Sequence, residues 1–492
     1  MYLLGIDIGT SSIKVAVVDV KTQKSIATVQ YPEAETEIKS VQPGWAEQSP
    51  ADWWENTKQA ILKLNATNLF NPKNIAAIGI AYQMHGLVVV DENQNVLRDS
   101  IIWCDSRAVE IGAEAFDQIG HQNALSSLLN SPGNFTASKL AWIKENEPHI
   151  YQKIDKIMLP GDFISMKLTG NITTSISALS EGIFWDFQQD KISKAVMDYY
   201  RLDYNFIPEI NELFSSHGVL TEEIALFLGL TAGIPVAYKS GDQPNNALSL
   251  NVMKPGEVAA TAGTSGVIYG VSNSLTYDPQ SRVNTFAHVT YSPEEKNTGV
   301  LLCINGTGSM YRWAKNTFAP HLNYQELNTL AAKAPIGSKG LNVLPFGNGA
   351  ERMLNNQYTG AQFLGIDLNI HSQAEIFRAV QEGIAFSFRY GIDIMREIGM
   401  EPKVIRAGRA NLFLSEVFAQ TFVDVTGVRV ELYENDGSVG AALGAGIGAG
   451  IFNTAEDAFT HHEVVATLDP KNSADYEPIY KEWKSLLMKT LK

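Results

Sequence analysis

Cysteine is nearly missing from this 492-residue sequence: Cys104 and Cys303 are the only two. Two thiols cannot build a disulfide framework, which excludes the small stapled scaffolds. Each stands beside apolar residues, so both are expected to be buried thiols of a reducing compartment. Excess positive charge is missing too, since 38 Lys and Arg face 53 Asp and Glu for a formal charge of −15 with histidine neutral. A surface of that sign repels nucleic acid and anionic lipid, so neither is an expected partner. There is no uninterrupted apolar run of about 18 residues to cross a membrane. Met1-Tyr2-Leu3-Leu4-Gly5-Ile6-Asp7 meets an acid at once without a basic lead, unlike a secretory leader, so the expected setting is cytoplasmic. Neither G-x-x-x-x-G-K-[ST] nor H-E-x-x-H occurs, which disfavours a Walker-type ATPase and a zinc hydrolase.

Apolar residues suffice for large cores: 45% of the chain is hydrophobic and 18% charged. At about 100–200 residues per domain, the length predicts two or three domains. Residues 3–8, 13–18 and 25–29 read as a β-meander, the third strand following the polar turn Lys21-Thr22-Gln23-Lys24. Ser49-Pro50-Ala51-Asp52 is a helix start, with a serine cap, a proline at the first position and an acid in the first turn. Trp54, Ile61 and Leu64 are spaced to form that helix's apolar face. Residues 76–81 and 87–90 read as further strands, so the class is mixed α/β. Gly9-Thr10-Ser11 lies between two strand-like runs, and Gly263-Thr264-Ser265 lies between 257–261 and 267–271, about half a chain later. Strand, Gly-Thr-Ser turn, strand, twice over, predicts a duplicated fold. The turn signal Pro255-Gly256 sets the boundary, with an N-terminal domain over 1–250 and a C-terminal domain over 251–492. The stretch 440–450 does not fit G-x-G-x-x-G, because residue 449 is alanine, and reads as a small-residue helix for close packing.

Asp7 ends an apolar strand and is followed by Gly9, Thr10, Ser11, Ser12 and Lys14. Glycine lets the backbone approach a ligand, and the Thr and Ser N–H and O–H groups can donate to phosphate oxygens. Asp7 suits a magnesium ion held through water, and Lys14 adds a point charge. The plainer alternative is a tight hairpin in which Asp7 caps its own turn. The second Gly-Thr-Ser favours phosphate, because two such hairpins could clasp a triphosphate from opposite domains. Asp242, in Ser240-Gly241-Asp242-Gln243-Pro244, stands where a turn enters a helix, either to take a proton from a substrate hydroxyl or to cap the helix. Gln83-Met84-His85-Gly86 interrupts two strands, and Trp103-Cys104-Asp105-Ser106-Arg107 gathers an aromatic, an acid and a cation. Aromatic faces with converging amide, carboxylate and guanidinium groups suit a polyol. A structural histidine and a surface Asp–Arg turn are the alternatives.

Together these segments resemble the FGGY family of carbohydrate kinases over nearly the whole chain. Ile6-Asp7-Ile8-Gly9-Thr10-Ser11 resembles the family's first phosphate loop and Gly263-Thr264-Ser265-Gly266 its second. Further matches are Gly44-Trp45-Ala46-Glu47-Gln48 with Trp53-Trp54, Asn134-Phe135-Thr136-Ala137-Ser138-Lys139-Leu140-Ala141-Trp142, and Leu159-Pro160-Gly161-Asp162-Phe163. Gln83-Met84-His85-Gly86 resembles the form in members that phosphorylate xylulose, whereas members acting on glycerol carry an Arg-Glu pair there. The resemblance implies two α/β domains of the actin, hexokinase and ribonuclease H-like fold, each on a five-stranded mixed sheet, with a cleft between them. It implies ATP-dependent phosphorylation of D-xylulose to D-xylulose 5-phosphate, with ATP and Mg2+ as cofactors. By position, Asp242 is then the general base, and Asp7 organises the magnesium and the transferring phosphoryl group. Gln83, Met84, His85, Trp103 and Asp105 lie with Asp242 at the sugar. Thr10, Ser11, Ser12 and Lys14 face the phosphates from one domain and Thr264 from the other, while Gly308, Gly408 and Asn411 sit near the nucleotide.

The implied partners are the sugar and ATP, and a homodimer is left open. The chain departs from the family at Ala407-Gly408-Arg409-Ala410-Asn411, where relatives usually show a Gly-Gly-Gly-Ala turn. Arg409 there either stacks on the adenine, pairs with a phosphate or narrows the pocket. The alternative functions are a family member acting on L-ribulose, gluconate or glycerol, a non-catalytic sugar-binding homologue, and an actin- or chaperone-like ATPase.

Overall fold

β-Branched and aliphatic runs build the first sheet in the computed structural model, which describes residues 1–491. Tyr2–Ile8 and Ile13–Asp19 pair antiparallel, with Asp7 opposite Lys14, and Ser25–Tyr31 adds antiparallel to the second strand. Ile75–Tyr82 and Val236–Gly241 extend the sheet on the other side in parallel. The order is Val236–Gly241, Ile75–Tyr82, Tyr2–Ile8, Ile13–Asp19, Ser25–Tyr31. Strands buried on both faces read as continuous apolar runs, and Ile75–Tyr82 is one, buried throughout except at Ala76.

One face of this sheet carries the helix Pro50–Asn65, whose Ser49 cap accepts from the Asp52 N–H. Trp53, Thr57, Ala60, Ile61 and Leu64 form its buried side, and Trp53 is only 1% exposed. Trp54, expected to face inward, sits instead at the rim of the core with Lys58 over its ring. The 3.6-residue period aligns position 53, not 54, with 57, 60, 61 and 64.

The other face carries Gly437–Gly448, the small-residue helix, capped by Asp436. A Cβ at Gly5 would fall 1.7 Å from the Ser438 carbonyl oxygen, and one at Gly79 would fall 1.9 Å from that of Ala441. Only glycine lets strand and helix backbones approach this closely.

The first compact unit is therefore not a contiguous half. It comprises Met1–Met253, Phe286–Thr298 and Asp436–His462, while the second comprises Lys254–Thr285, Gly299–Asn435 and the chain from Glu463 onward. The division falls between residues 253 and 254, and two later segments return to the first unit, unlike a single cut after residue 250.

In the second unit Glu257–Ala262 pairs antiparallel with Gly266–Ser272 across Gly263-Thr264-Ser265, and parallel with Val404–Gly408. Val430–Tyr433 continues in parallel. The order Thr298–Ile304, Gly266–Ser272, Glu257–Ala262, Val404–Gly408, Val430–Tyr433 runs through a seven-stranded sheet. It matches the first unit's order, with the same change from antiparallel to parallel pairing at the strand preceding the Gly-Thr-Ser turn. The long helix Gln373–Glu397, opened by a Ser372–Glu375 capping box, supplies Phe377, Ile384, Phe388 and Ile392 to the core.

Both cysteines are exposed, contrary to the buried thiols expected. Cys303 lies between buried Leu302 and Ile304 in Thr298–Ile304, so the two-residue period of a strand turns it to the opposite side. Cys104 lies in the loop that follows Ser100–Ile101. Among the described residues no helix is long and apolar enough to cross a membrane.

Candidate active site

The end of Tyr2–Ile8 places Asp7 beside the turn that contains Thr10 and Ser11, where the Gly9 N–H donates to the Ser12 carbonyl at 3.1 Å. Lys14, across the hairpin from Asp7, lies 3.3 Å from an Asp436 carboxylate oxygen. Gly437 leaves room for the acid, since a Cβ there would fall 2.4 Å from Asp7 Oδ2. Asp242 is the first residue of the helix Asp242–Ser249, delivered directly by Val236–Gly241. Its Oδ2 accepts from Gln243 Nε2 at 3.2 Å.

Both acids are partly buried. Burial, then the neighbouring charge of Asp7, raises Asp242 to about 7. Burial and Asp436 raise Asp7 to about 6 against the opposing pull of Lys14. Carboxylates thus outnumber the lysine here, and a hard cation would relieve their repulsion. Among the described residues no three His, Cys, Asp or Glu side chains converge to hold a metal unaided. Such a donor set fits magnesium, which takes one or two carboxylates and completes its shell with water and phosphate oxygens.

The loop 83–86 is tied to this hairpin through Gln48, a residue to which the sequence reading gave no role. Gln83 Nε2 donates to Gln48 Oε1 at 2.9 Å, and Gln48 Nε2 donates to the Thr10 carbonyl at 2.7 Å. The Thr10 hydroxyl accepts from Trp103 Nε1 at 2.9 Å, and Trp103 is otherwise 53% exposed. The amide of Gln83 therefore braces the hairpin.

Met84 is buried, and His85 adopts a left-handed backbone with φ of 64°. A non-glycine residue holds that conformation when its surroundings over-determine it. Here the His85 N–H donates to Glu181 Oε1 at 2.7 Å, and the His85 carbonyl accepts from Lys139 Nζ at 2.9 Å. Ring Nδ1 lies 3.2 Å from the Glu181 carbonyl oxygen, a contact that calls for a proton on Nδ1. Phe135 and Phe286 flank the ring at 4.8 and 5.5 Å. Lys139 is fully buried, also donates to the Ile102 carbonyl at 3.0 Å, and is pushed down to about 7 by burial, with Asp105 opposing. Glu181 was missed from the sequence. Its one visible signal is that it is the lone acid in an apolar and small run, Ile176-Ser177-Ala178-Leu179-Ser180-Glu181-Gly182-Ile183-Phe184.

Asp105 differs from the sugar contact expected of it. Oδ2 accepts from the Ala46 N–H at 2.6 Å and from Arg107 Nη2 at 2.7 Å, while Oδ1 accepts from the Arg107 N–H at 2.8 Å. Arg107, 1% exposed, also reaches Glu47 at 2.6 Å and stacks 3.9 Å from the Trp45 ring centre. Nor is this pair a surface turn: with its oxygens occupied, Asp105 fixes the Trp103 loop.

In the second unit Gly263, Thr264, Gly308 and Asn411 line one cavity of about 970 Å³, together with Tyr311 and Asn328. That volume is in the range of small-molecule sites. The Gly308 N–H donates to the Gly263 carbonyl at 2.9 Å, and a Cβ at Gly308 would fall 2.4 Å from that oxygen. Glu351, also missed, accepts from the Asn305 and Gly306 N–H groups at 3.0 and 3.2 Å, and burial raises it to about 7. Gly408 ends Val404–Gly408 and does not line the cavity. Arg409 follows with an exposed side chain, its N–H donating to the Tyr433 carbonyl at 2.8 Å.

Residues 2–249 match the N-terminal domain of the FGGY family of carbohydrate kinases, and residues 258–450 match its C-terminal domain. The chain belongs to that family. This FGGY kinase is 30% identical to the xylulose kinase of Lactococcus lactis subsp. lactis (strain IL1403), over 99% of this chain and 97% of that protein. The xylulose kinase structure from Rhodospirillum rubrum aligns with a TM-score of 0.89 at 26% identity, covering 99% of each chain. Plasmodium falciparum glycerol kinase with ADP aligns with a TM-score of 0.90 at 21% identity, over 100% of this chain and 98% of that one. The fold is that of the two-domain, actin- and hexokinase-like α/β kinases, and the activity class is ATP-dependent carbohydrate phosphorylation. A glycerol kinase aligns as well as a xylulose kinase, so the fold does not choose the sugar.

Proposed function

We propose that this FGGY kinase transfers the γ-phosphoryl group of ATP to the terminal hydroxyl of D-xylulose, giving D-xylulose 5-phosphate. The observation that carries the reading is the packing of Met84, in the loop 83–86, against the strand that delivers Asp242. A Cβ at Gly241, the residue before Asp242, would fall 2.8 Å from Met84 Cγ. The xylulose kinases among the relatives favour the same sugar.

Asp242 is the general base. A carboxylate held near 7 accepts the hydroxyl proton at neutral pH as the sugar oxygen bonds to the γ-phosphorus and the bond to ADP breaks. Met84 and His85 contact the sugar, with Trp103 closing the exposed side. In the first unit Thr10, Ser11, Ser12 and Lys14 offer donors suited to phosphate oxygens, and in the second unit Thr264 and Gly308 offer donors of the same kind. Asn411 lies along the nucleotide cavity, with Gly408 behind it. Asp7 would hold a magnesium ion, which would supply neutralisation of the phosphate charge.

ADP release with Mg-ATP across D-xylulose, L-ribulose, D-ribulose, gluconate and glycerol tests the reading. The expected outcome is a clear preference in kcat/KM for D-xylulose. Preference for another sugar refutes the substrate and leaves the kinase chemistry standing.

A further inference from the structure

Asn328, on the helix Tyr324–Ala331, lines the second unit's cavity of about 970 Å³. Behind it runs a chain of hydrogen bonds whose direction is fixed at its far end. Ser415 caps the helix Glu416–Thr426, so its Oγ accepts from the Phe418 N–H at 3.3 Å. The hydroxyl hydrogen then needs an acceptor, and Gln381 Oε1 stands at 2.7 Å. Gln381, fully buried on Gln373–Glu397, is thereby oriented with Nε2 toward Tyr311 and Asn328. Nε2 donates to Tyr311 Oη at 2.9 Å and to Asn328 Oδ1 at 3.2 Å. The Tyr311 hydroxyl in turn donates to Asn328 Oδ1 at 2.7 Å. Turning the Gln381 amide over would leave the Ser415 hydroxyl hydrogen, on a residue 1% exposed, with no acceptor among the described residues. Native proteins rarely tolerate such a buried orphan.

The chain leaves Asn328 a single orientation. Oδ1 faces inward and takes two hydrogen bonds, whereas Nδ2 has no partner among the described residues and is not sealed in by them. Asn328 therefore meets the cavity as a donor and not as an acceptor. A free asparagine can turn its amide to suit either kind of group, and this one is held. Tyr311, Leu412 and Val417 also line the cavity. Aromatic and apolar walls with a few placed polar groups suit a planar heterocycle.

We propose that Asn328 reads the nucleotide base: its Nδ2 donates to an unprotonated ring nitrogen of adenine. This rests on the reading of the second unit's cavity as the nucleotide site. It makes Asn328 a specificity-determining residue for the phosphoryl donor.

Kinetics of wild type, Asn328→Asp, Asn328→Leu and Thr329→Trp, with ATP and its 1-deaza, 3-deaza and 7-deaza analogues, test the proposal. Aspartate keeps the side chain's shape and its inward acceptor but puts an acceptor where the donor was, and leucine removes the donor without adding charge. Either should raise the ATP KM about tenfold while the sugar KM changes little. With wild type, one deaza analogue should be about tenfold poorer than ATP in kcat/KM, and with either Asn328 variant it should be no poorer than ATP. Equal losses for that analogue in wild type and variants, as a purely structural role would give, overturn the proposal. So does a wild type that loses nothing with any of the three analogues, an arm that needs no variant to fold. Thr329→Trp places a bulky ring in the same cavity, so a raised ATP KM with an unmoved sugar KM supports the nucleotide's place there. An unmoved ATP KM in that variant refutes the cavity reading and the proposal with it. A raised ATP KM in Thr329→Trp beside unchanged kinetics in both Asn328 variants overturns the role of Asn328 alone.

Discussion

Replacing Asp242 by asparagine removes the proton acceptor and keeps the side chain's shape and its reach to Gln243. General-base catalysis by a positioned group contributes roughly 10²–10⁴-fold, so kcat should fall by about that factor while the sugar KM changes far less. The raised Asp242 carboxyl, at about 7, also fixes the sign of the pH response. Below that value the group already carries a proton and cannot accept another, so wild-type kcat/KM should fall about tenfold per pH unit on the acid side. The asparagine variant should lack the limb centred near 7. Stability should move the other way. Unfolded aspartate titrates near about 3.9, so between there and about 7 the folded chain holds a proton that the unfolded chain has lost. Stability from this group is therefore present at low pH and lost as pH rises through about 7, where a buried charge appears. Asparagine removes that charge, so the variant should melt above wild type at pH 8, with the gap narrowing toward pH 4. Coupled ADP-release kinetics and thermal melts across pH check both halves. Turnover within tenfold of wild type, or a limb near 7 that survives in the variant, would take Asp242 out of the role.

Asp105→Ala leaves Arg107 buried without its carboxylate, a change that typically costs about 3–5 kcal/mol. Because Glu47 and Trp45 still hold the guanidinium, the lower end is expected in denaturant unfolding, and unchanged stability would refute the pairing argument. Gly79→Ala drives a methyl group to 1.9 Å from the Ala441 carbonyl oxygen, an overpacking expected to cost about 1–3 kcal/mol and to lower the melting temperature. Arg409→Gly should raise the ATP KM about two- to fivefold through loss of cation stacking, with the sugar KM unmoved. An unchanged ATP KM would place that exposed side chain outside the nucleotide's reach.

Local signals were read well where local geometry decides. The two Gly-Thr-Ser turns, the Ser49-Pro50 helix start and the small-residue helix follow from backbone rules that operate within a few residues. What stayed hidden depends on distant packing. Trp53 and Trp54 are neighbours of identical chemistry, and only the position of the core around the helix tells them apart. Asp105 carries a residue type suited to a sugar, and Arg107 and the Ala46 N–H take up its oxygens in the folded chain. Glu181 belongs to no motif, and it accepts from the His85 N–H across a long sequence separation. The return of residues 286–298 and 436–462 to the first unit was equally invisible, although Gly5, Gly79 and the Gly/Ala-rich run are complementary halves of one close contact.

That contact governs the order in which the protein can be made. Strands Tyr2–Ile8 and Ile75–Tyr82 emerge early in synthesis, yet the helix that presses on Gly5 and Gly79 belongs to Asp436–His462. Until that segment emerges, a sheet face carrying Leu3, Ala77, Ala81 and Tyr238 lacks its cover and is open to misassembly. A fragment ending at residue 253 would meet the same fate, and a stop codon in the 430s would disable the first unit while sparing every residue before it. Exchange of the first unit between relatives accordingly requires a graft in three pieces, because the heritable module is defined by contact and not by contiguity.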